Sequence, residues 1–328
     1  MKARFACLLA HASSVAAVLL VSMHTAPAHG YPDQGVKLVV AFPPGGPADA
    51  LGRILGERLS VRWGQPVVIE NRGGAGGNVG AAAVARSAPD GYTLLLNASS
   101  HVINASLTDA LPYDPVKDFT AISEVASYML VLVVHPSMPA TTLQGFVDFA
   151  SAQPTGLTVA NAGSGTPTHL AAALFAQAAG VNLVHLAYRG AAAATNDLVA
   201  GHVQAMFDNP VNAVPQAKAG TLRALAVTGA KRLALLPDVA SVAELGYPGF
   251  ETRTWYGLFG PAGMVPEQVA KIYADTRWAL QDSDVIAKLG AQGFDLEVIP
   301  PATFSGMLVE ERDRWAAVIR NAKIKREN

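Results

Sequence analysis

Cysteine is almost absent from this chain. The single one, Cys7, sits near its start, inside an apolar N-terminal stretch. The rest of the chain therefore has no disulfide and no thiolate chemistry. Long apolar runs are missing beyond that stretch, and segments such as Tyr128–Val134 are far too short to cross a bilayer, which takes about 20 residues. An excess of either charge is missing too. Lys and Arg number 24 against 25 Asp and Glu, and setting aside Lys2 and Arg4 leaves 22 against 25, a net of −3. No basic patch is concentrated anywhere, which argues against nucleic acid or an anionic membrane surface as the partner.

Catalytic signatures are also lacking. His29, His101, His135, His169, His185 and His202 show no metal-ligand spacing. There is no Gly-x-Ser-x-Gly nucleophile elbow, and Ser99–Ser100–His101 are neighbours in sequence, which does not make a triad. The glycine-rich Gly73–Gly80 lacks the Gly-Lys-Ser/Thr ending of a nucleotide loop and reads as a tight strand-to-helix connection. No metal, no cofactor and no enzymatic activity are expected.

What is present begins with a leader. Lys2 and Arg4 precede the apolar Phe5–Met23, and Ala26–Pro27–Ala28 has the small-residue pattern of a cleavage site. This predicts a secretory signal peptide over 1–28 and an extracytoplasmic, periplasmic product. About 300 residues remain, which suits two domains.

Strands then alternate with helices, which predicts an α/β fold with parallel sheets. Val39–Phe42 reads as the end of a strand. Pro43–Pro44–Gly45–Gly46 is a corner, and Pro47–Ala48–Asp49 opens a helix. A helix start has unpaired N–H groups and partial positive charge, so this loop is a candidate anion site. Asn97–Ala98–Ser99–Ser100 follows another strand at its carboxyl end, where ligands of open α/β sheets sit. Gly163–Ser164–Gly165–Thr166–Pro167 repeats the first motif, with Thr166 as N-cap and Pro167 at the first helical position. The break at His135–Pro139 reads as a crossing into a second domain, and the strand Trp255–Phe259 with its following turn as the return.

In this order the motifs resemble the Bug family of extracytoplasmic solute receptors, the binding components of tripartite tricarboxylate transporters. The marks are Phe42–Pro43–Pro44–Gly45–Gly46 with Asp49 and Arg53; Glu70–Asn71–Arg72; Gly74–Ala75–Gly76–Gly77–Asn78; Pro89–Asp90–Gly91–Tyr92; Tyr188–Arg189–Gly190; Leu225–Ala226–Val227–Thr228; and Trp255–Tyr256–Gly257. They run from about Tyr31 to about Ile324. Ala187 and Arg189 stand where Pro and Lys are common in that family, which bears on ligand preference. The resemblance implies a type II periplasmic-binding-protein fold. It has two α/β domains, a hinge and an interdomain ligand cleft. Domain I would be 29–132 plus 253–328, and domain II 133–252.

The resemblance also implies a small carboxylate as ligand: a di- or tricarboxylate, an aromatic carboxylate or an acidic amino acid. The receptor would act as a monomer and hand its ligand to subunits of the membrane transporter. A sensor feeding a signalling partner, or a hydrolase using Ser100 or Ser164, are the alternatives. The candidate ligand-binding residues are Phe42, Gly45, Gly46 and Asp49 on the first loop, and Asn97, Ser99 and Ser100 on the second. Gly163, Ser164, Gly165, Thr166 and His169 follow on the third, with Tyr188, Arg189, Asp208 and Asn209 on later strand ends. Several carry two readings. Asp49 orients cleft waters or a ligand amine, or stabilises its own helix start. His169 and Tyr188 touch ligand or fill core. Asp208 takes an ammonium group or caps a turn. Arg189 meets a second carboxylate or is an ordinary loop arginine.

Overall fold

A computed structural model of the protein describes residues 30–108 and 111–322. The expected leader at 1–28 lies outside the described residues. Met1–Asp33 separates from Gln34–Asn328 as a unit of its own, and the architecture below is that of the second unit.

The first sheet is built from β1 (Val36–Val40), β2 (Val67–Asn71), β3 (Thr93–Ala98), β4 (Phe119–Met129) and β10 (Arg253–Pro261), in the order β2-β1-β3-β10-β4. The second holds β5 (Val131–Val134), β6 (Leu157–Asn161), β7 (Leu183–Ala187), β8 (Ala205–Asp208) and β9 (Arg223–Val227), in the order β7-β6-β8-β5-β9. The two orders follow one rule. Three parallel strands are followed by an antiparallel strand that has just come from the other sheet, and then by an edge strand. The fold is thus α/β with two domains, as the sequence predicts, but both sheets are mixed rather than parallel, because one strand in each arrives from the other sheet and pairs antiparallel.

Helices α1 (Pro47–Trp63), α2 (Asn78–Ala85) and α3 (Ser100–Ile103) connect strands of the first lobe. In the second lobe α4 (Leu143–Ser151), α5 (Pro167–Ala179), α6 (Ala191–Val199) and α7 (Pro210–Ala219) do the same. After β10, α8 (Pro266–Leu280), α9 (Ser283–Gly290) and α10 (Pro301–Ala322) complete the described chain. The strand sequences explain their place. In β1 only Lys37 is exposed, and its ammonium pairs with Glu70 on β2; β5 is Val-Leu-Val-Val, buried throughout. Runs apolar on both faces belong inside a sheet covered by helices.

Tyr128–Val134 is not one strand, as its apolar character suggests. The run is shared between β4 and β5, so the chain changes sheets at Leu130, ahead of the His135–Pro139 break. The crossing is buried and apolar, with Leu130 1% exposed, so no turn residue marks it. Its backbone polarity is met by one residue. Leu130 N–H donates to Thr228 Oγ1 at 2.9 Å, and Thr228 N–H donates to Leu130 O. The Thr228 hydroxyl donates in turn to Thr252 O at 2.8 Å, and Thr252 N–H donates to Thr228 O. Thr228, fully buried, therefore ties the outward crossing to the return strand.

The lobes also touch beyond the crossings. Leu170 on α5 is fully buried in the apolar cluster of the first lobe, with Val102, Ile103 and Phe304. A Cβ placed on Gly190 would lie 3.2 Å from Pro43 Cγ, so these two loops of opposite lobes approach each other closely.

Thr228→Val removes both hydroxyl bonds and leaves the Leu130 amide and the Thr252 carbonyl short of a partner in a dry site. It should lower unfolding free energy by roughly 1–3 kcal/mol in denaturant melts. Thr228→Ser, which keeps the hydroxyl, should lose clearly less; equal losses would mean the bonds are not what Thr228 contributes.

Candidate functional site

The carboxyl ends of the parallel strands of both lobes face one cavity. Its space is about 60 Å³. That is on the order of four waters, and it fits a ligand of few carbons rather than a nucleotide. Four helix starts form most of its wall: Gly46–Pro47–Ala48 of α1, Thr166–Pro167–Thr168 of α5, Gly190–Ala191–Ala192 of α6, and Asn209 before α7.

The sequence folds this way locally for identifiable reasons. Proline stands at the first position of α1, α5 and α7, where its fixed φ suits a helix and its missing N–H costs nothing. The next amides, of Ala48 and Thr168, have no acceptor within their own helices. The two residues line the cavity, with the positive ends of the helix dipoles directed toward it. Among the described residues no carboxylate lines the cavity, and Arg189 is its one charged side chain. An enclosed space with backbone donors, helix dipoles and a guanidinium favours an anion.

Of the sequence candidates, Phe42, Gly46, Thr166, Arg189 and Asn209 line this cavity. The others do not line it; Gly45 is exposed, where a Cβ would lie 3.9 Å from the lining residue Ala192. Gly45 has φ +82°, open to glycine at little cost, and its amide donates to Asp49 Oδ2 at 3.1 Å. Asp49 also accepts from Arg53 Nε and from Asn71 Nδ2, both at 3.0 Å. Burial alone would raise its pKa, but these donors outweigh it and hold the carboxyl below its ordinary value. Asp49 thus clamps the first loop.

Asn97 spends its amide on the same task. Its Nδ2 meets His101 Nδ1 at 3.2 Å and its Oδ1 accepts from Ala98 N. Ser99 and Ser100 are buried, and their hydroxyls have no protein partner. Gly163 O accepts the Thr166 hydroxyl at 2.6 Å, so Thr166 closes the third loop instead of capping α5 with its side chain. Gly165 N donates to His169 Nδ1 at 3.2 Å, and Ser164 lies in the same turn, away from the cavity lining. Burial, with His185 beside it, drops His169 to about 4. Tyr188 donates its hydroxyl to Asp197 Oδ2. Asp208 is fully buried, accepting from Thr195 Oγ1 at 2.6 Å and from the backbone and side chain of Asn209 at 2.8 Å. Burial pushes its pKa up to about 7 against those hydrogen bonds.

The wall also holds residues the sequence candidates omit. Tyr128, Thr254 and Tyr256 line it from the crossing strands, and Ala98 and Ala162 from strand ends. The tyrosines had a signal, each being a polar-tipped aromatic in an apolar strand. The alanines had none.

A sequence profile of the tripartite tricarboxylate transporter family receptor matches residues 51–324. The chain belongs to that family. This receptor is 36% identical to protein BugT of Bordetella pertussis over 299 residues, which covers 90% of this chain and 92% of BugT. It superposes on Rpa4515 of R. palustris, solved with adipate, with TM-score 0.86 and 33% identity; 90% of this chain and 99% of that one are covered. MatC of Rhodopseudomonas palustris, solved with bound malate, gives TM-score 0.84 and 33% identity over 88% of this chain and 100% of its own.

Behind the wall His101 is fully buried, its Nε2 2.9 Å from Pro115 O and its ring 4.3 Å from Phe259. Burial lowers its pKa to about 4, against the opposing effect of the Pro115 carbonyl. In the unfolded chain it takes a proton near pH 6.5. Between these values the unfolded chain binds more protons, so this group makes stability fall as pH drops from about 6.5 to 4, by up to about 1.4 kcal/mol per pH unit. In denaturant melts across that window, His101→Gln should lose stability less steeply than the wild type. Parallel slopes would show that His101 does not carry this linkage.

Proposed function

We propose that this receptor captures a small carboxylate in the cavity between its lobes and passes it to a tripartite tricarboxylate-type membrane transporter. The observation that carries this reading is the convergence of four helix starts on a space that, among the described residues, no carboxylate lines. The ligand's carboxylate takes the place facing the Ala48 and Thr168 amides. Closure is a shift of population toward the state in which both lobes touch ligand. We take the lobes as 29–132 with 253–328, and 133–252, with the first limit drawn back to Leu130. The receptor works in the periplasm as a monomer, released there by cleavage of 1–28. Among the described residues no helix is long and apolar enough to cross a membrane.

We read it as a binding protein without a chemical step. A hydrolase would need a serine bonded to a base that a third group holds. The Ser100 hydroxyl has no partner, and His101 has Asn97 on one nitrogen and Pro115 O on the other. Malate and adipate, the ligands solved with MatC and Rpa4515, support a dicarboxylate with its second carboxylate toward Arg189.

A thermal-shift panel on the purified protein tests the reading. A carboxylate ligand at 100 times its dissociation constant should stabilise by roughly 2.7 kcal/mol. A panel in which only sugars or cations raise the melting temperature would end the proposal. Arg189→Gln should weaken dicarboxylates by about tenfold or more and monocarboxylates far less. An equal loss for both classes would place Arg189 outside the role of second-carboxylate partner.

A further inference from the structure

The wall opposite the helix starts is made of hydroxyls. Tyr128 is the last but one residue of β4, and Thr254 stands across from it on β10, its antiparallel register partner. Tyr256 follows two residues on. All three line the cavity, and their exposures are only 4%, 1% and 3%. The two phenol oxygens lie 3.2 Å apart, so one donates to the other. Thr254 Oγ1 makes no hydrogen bond of good geometry, but it stands close enough to the Tyr128 phenol to act on it. Three O–H donors thus cluster with at most two bonds among themselves, so at least one buried donor is left over, which is costly.

Burial raises both phenols well above the ordinary tyrosine value, so they stay protonated as donors at neutral pH. The Asp208 carboxyl also acts on Tyr128 and raises it further. Asp208 is fully enclosed, and its partners are Thr195 and Asn209, neither of them a cation. A negative charge on this wall would face that carboxyl whenever the carboxyl is ionised. A neutral oxygen carries no such repulsion.

Resting on the carboxylate reading above, we propose that Tyr128, Thr254 and Tyr256 form a subsite for an uncharged oxygen, a hydroxyl or oxo group, on the carbon chain of the bound carboxylate. The helix starts hold the acid group, Arg189 meets a second acid group where there is one, and the hydroxyl wall tells a hydroxy or oxo acid from its unsubstituted counterpart. A ligand without that oxygen leaves a buried donor unpaired, which is a strong basis for discrimination.

Titration calorimetry on the purified protein tests this with matched ligands: malate against succinate, and lactate and pyruvate against propionate. The substituted member of each set should bind about tenfold tighter or more in the wild type. Thr254→Val and Tyr256→Phe should bring the ratio close to one by weakening the substituted ligand of each set. Thr254→Ser should keep the wild-type ratio, which separates the hydroxyl from packing. Equal binding within each set by the wild type, or a ratio unchanged in both Thr254→Val and Tyr256→Phe, overturns the subsite while leaving carboxylate capture standing. If no carboxylate binds at all, capture and the subsite fall together.

Discussion

Four helix starts facing one enclosed space is the constraint on which the rest of this structure depends. Each start brings backbone donors that its own helix cannot satisfy, and each brings the positive end of a dipole. Such ends repel one another unless something negative or strongly polar lies between them. The surrounding loops are built to hold the starts in place. Asp49 pins the first loop through Gly45, Arg53 and Asn71. Thr166 and Thr168 pin the third, through Gly163 O and Ala162 N. Asp208 pins Asn209 and reaches Thr195 of α6. The conspicuous polar side chains are therefore mostly spent on the scaffold, and the surface left for the ligand is largely backbone.

That arrangement needs both lobes. α1 rises from the first sheet, and α5, α6 and α7 from the second, so the donors come together only when the sheets face each other. The repeated strand order is what makes this possible. In each sheet the parallel strands deliver their carboxyl ends to the same side, and the antiparallel strand carries the chain across. The crossing strands are consequently part of the cavity wall as well as the hinge. Tyr128 and Thr254 sit within two residues of Leu130 and Thr252, whose backbones Thr228 joins. On the proposed reading, bending between the lobes and contact with ligand involve the same stretch of chain.

Much of this was legible in the residues. The Pro-Gly corners before α1 and α5, and Pro210 before α7, encode helix starts directly, because proline and glycine act through local backbone geometry. The alternation of elements encoded the fold class. Two kinds of feature were hidden. The crossing at Leu130 has no punctuation because it is buried, and an apolar run reads the same whether it stays in one sheet or passes to another. The division of the polar residues between wall and scaffold was hidden as well. Asp49, Asn97 and Asp208 sit next in sequence to loop positions that line or border the cavity. A neighbouring residue in a tight turn points elsewhere, however, and their carboxylates and amides turn back onto their own loops.

The same division bears on how ligand preference can change without loss of the fold. Donors that belong to the backbone persist whatever side chains stand around them, so capture of an acid group is tied to the loop geometry. The side chains free to vary are those that contact the cavity without holding a loop: Arg189, whose neighbours on the wall are Gly190 and Ala191, and the hydroxyl-bearing wall of the crossing strands. Arg189 is exposed at the end of β7, so changing it disturbs no core. Thr254 and Tyr256 are buried beside the hinge, so only changes that conserve volume are compatible with the packing there. If Arg189 sets charge preference and the hydroxyl wall sets oxygen preference, as proposed, the two lie under different constraints, one open to substitution and the other restricted by the fold it helps to close.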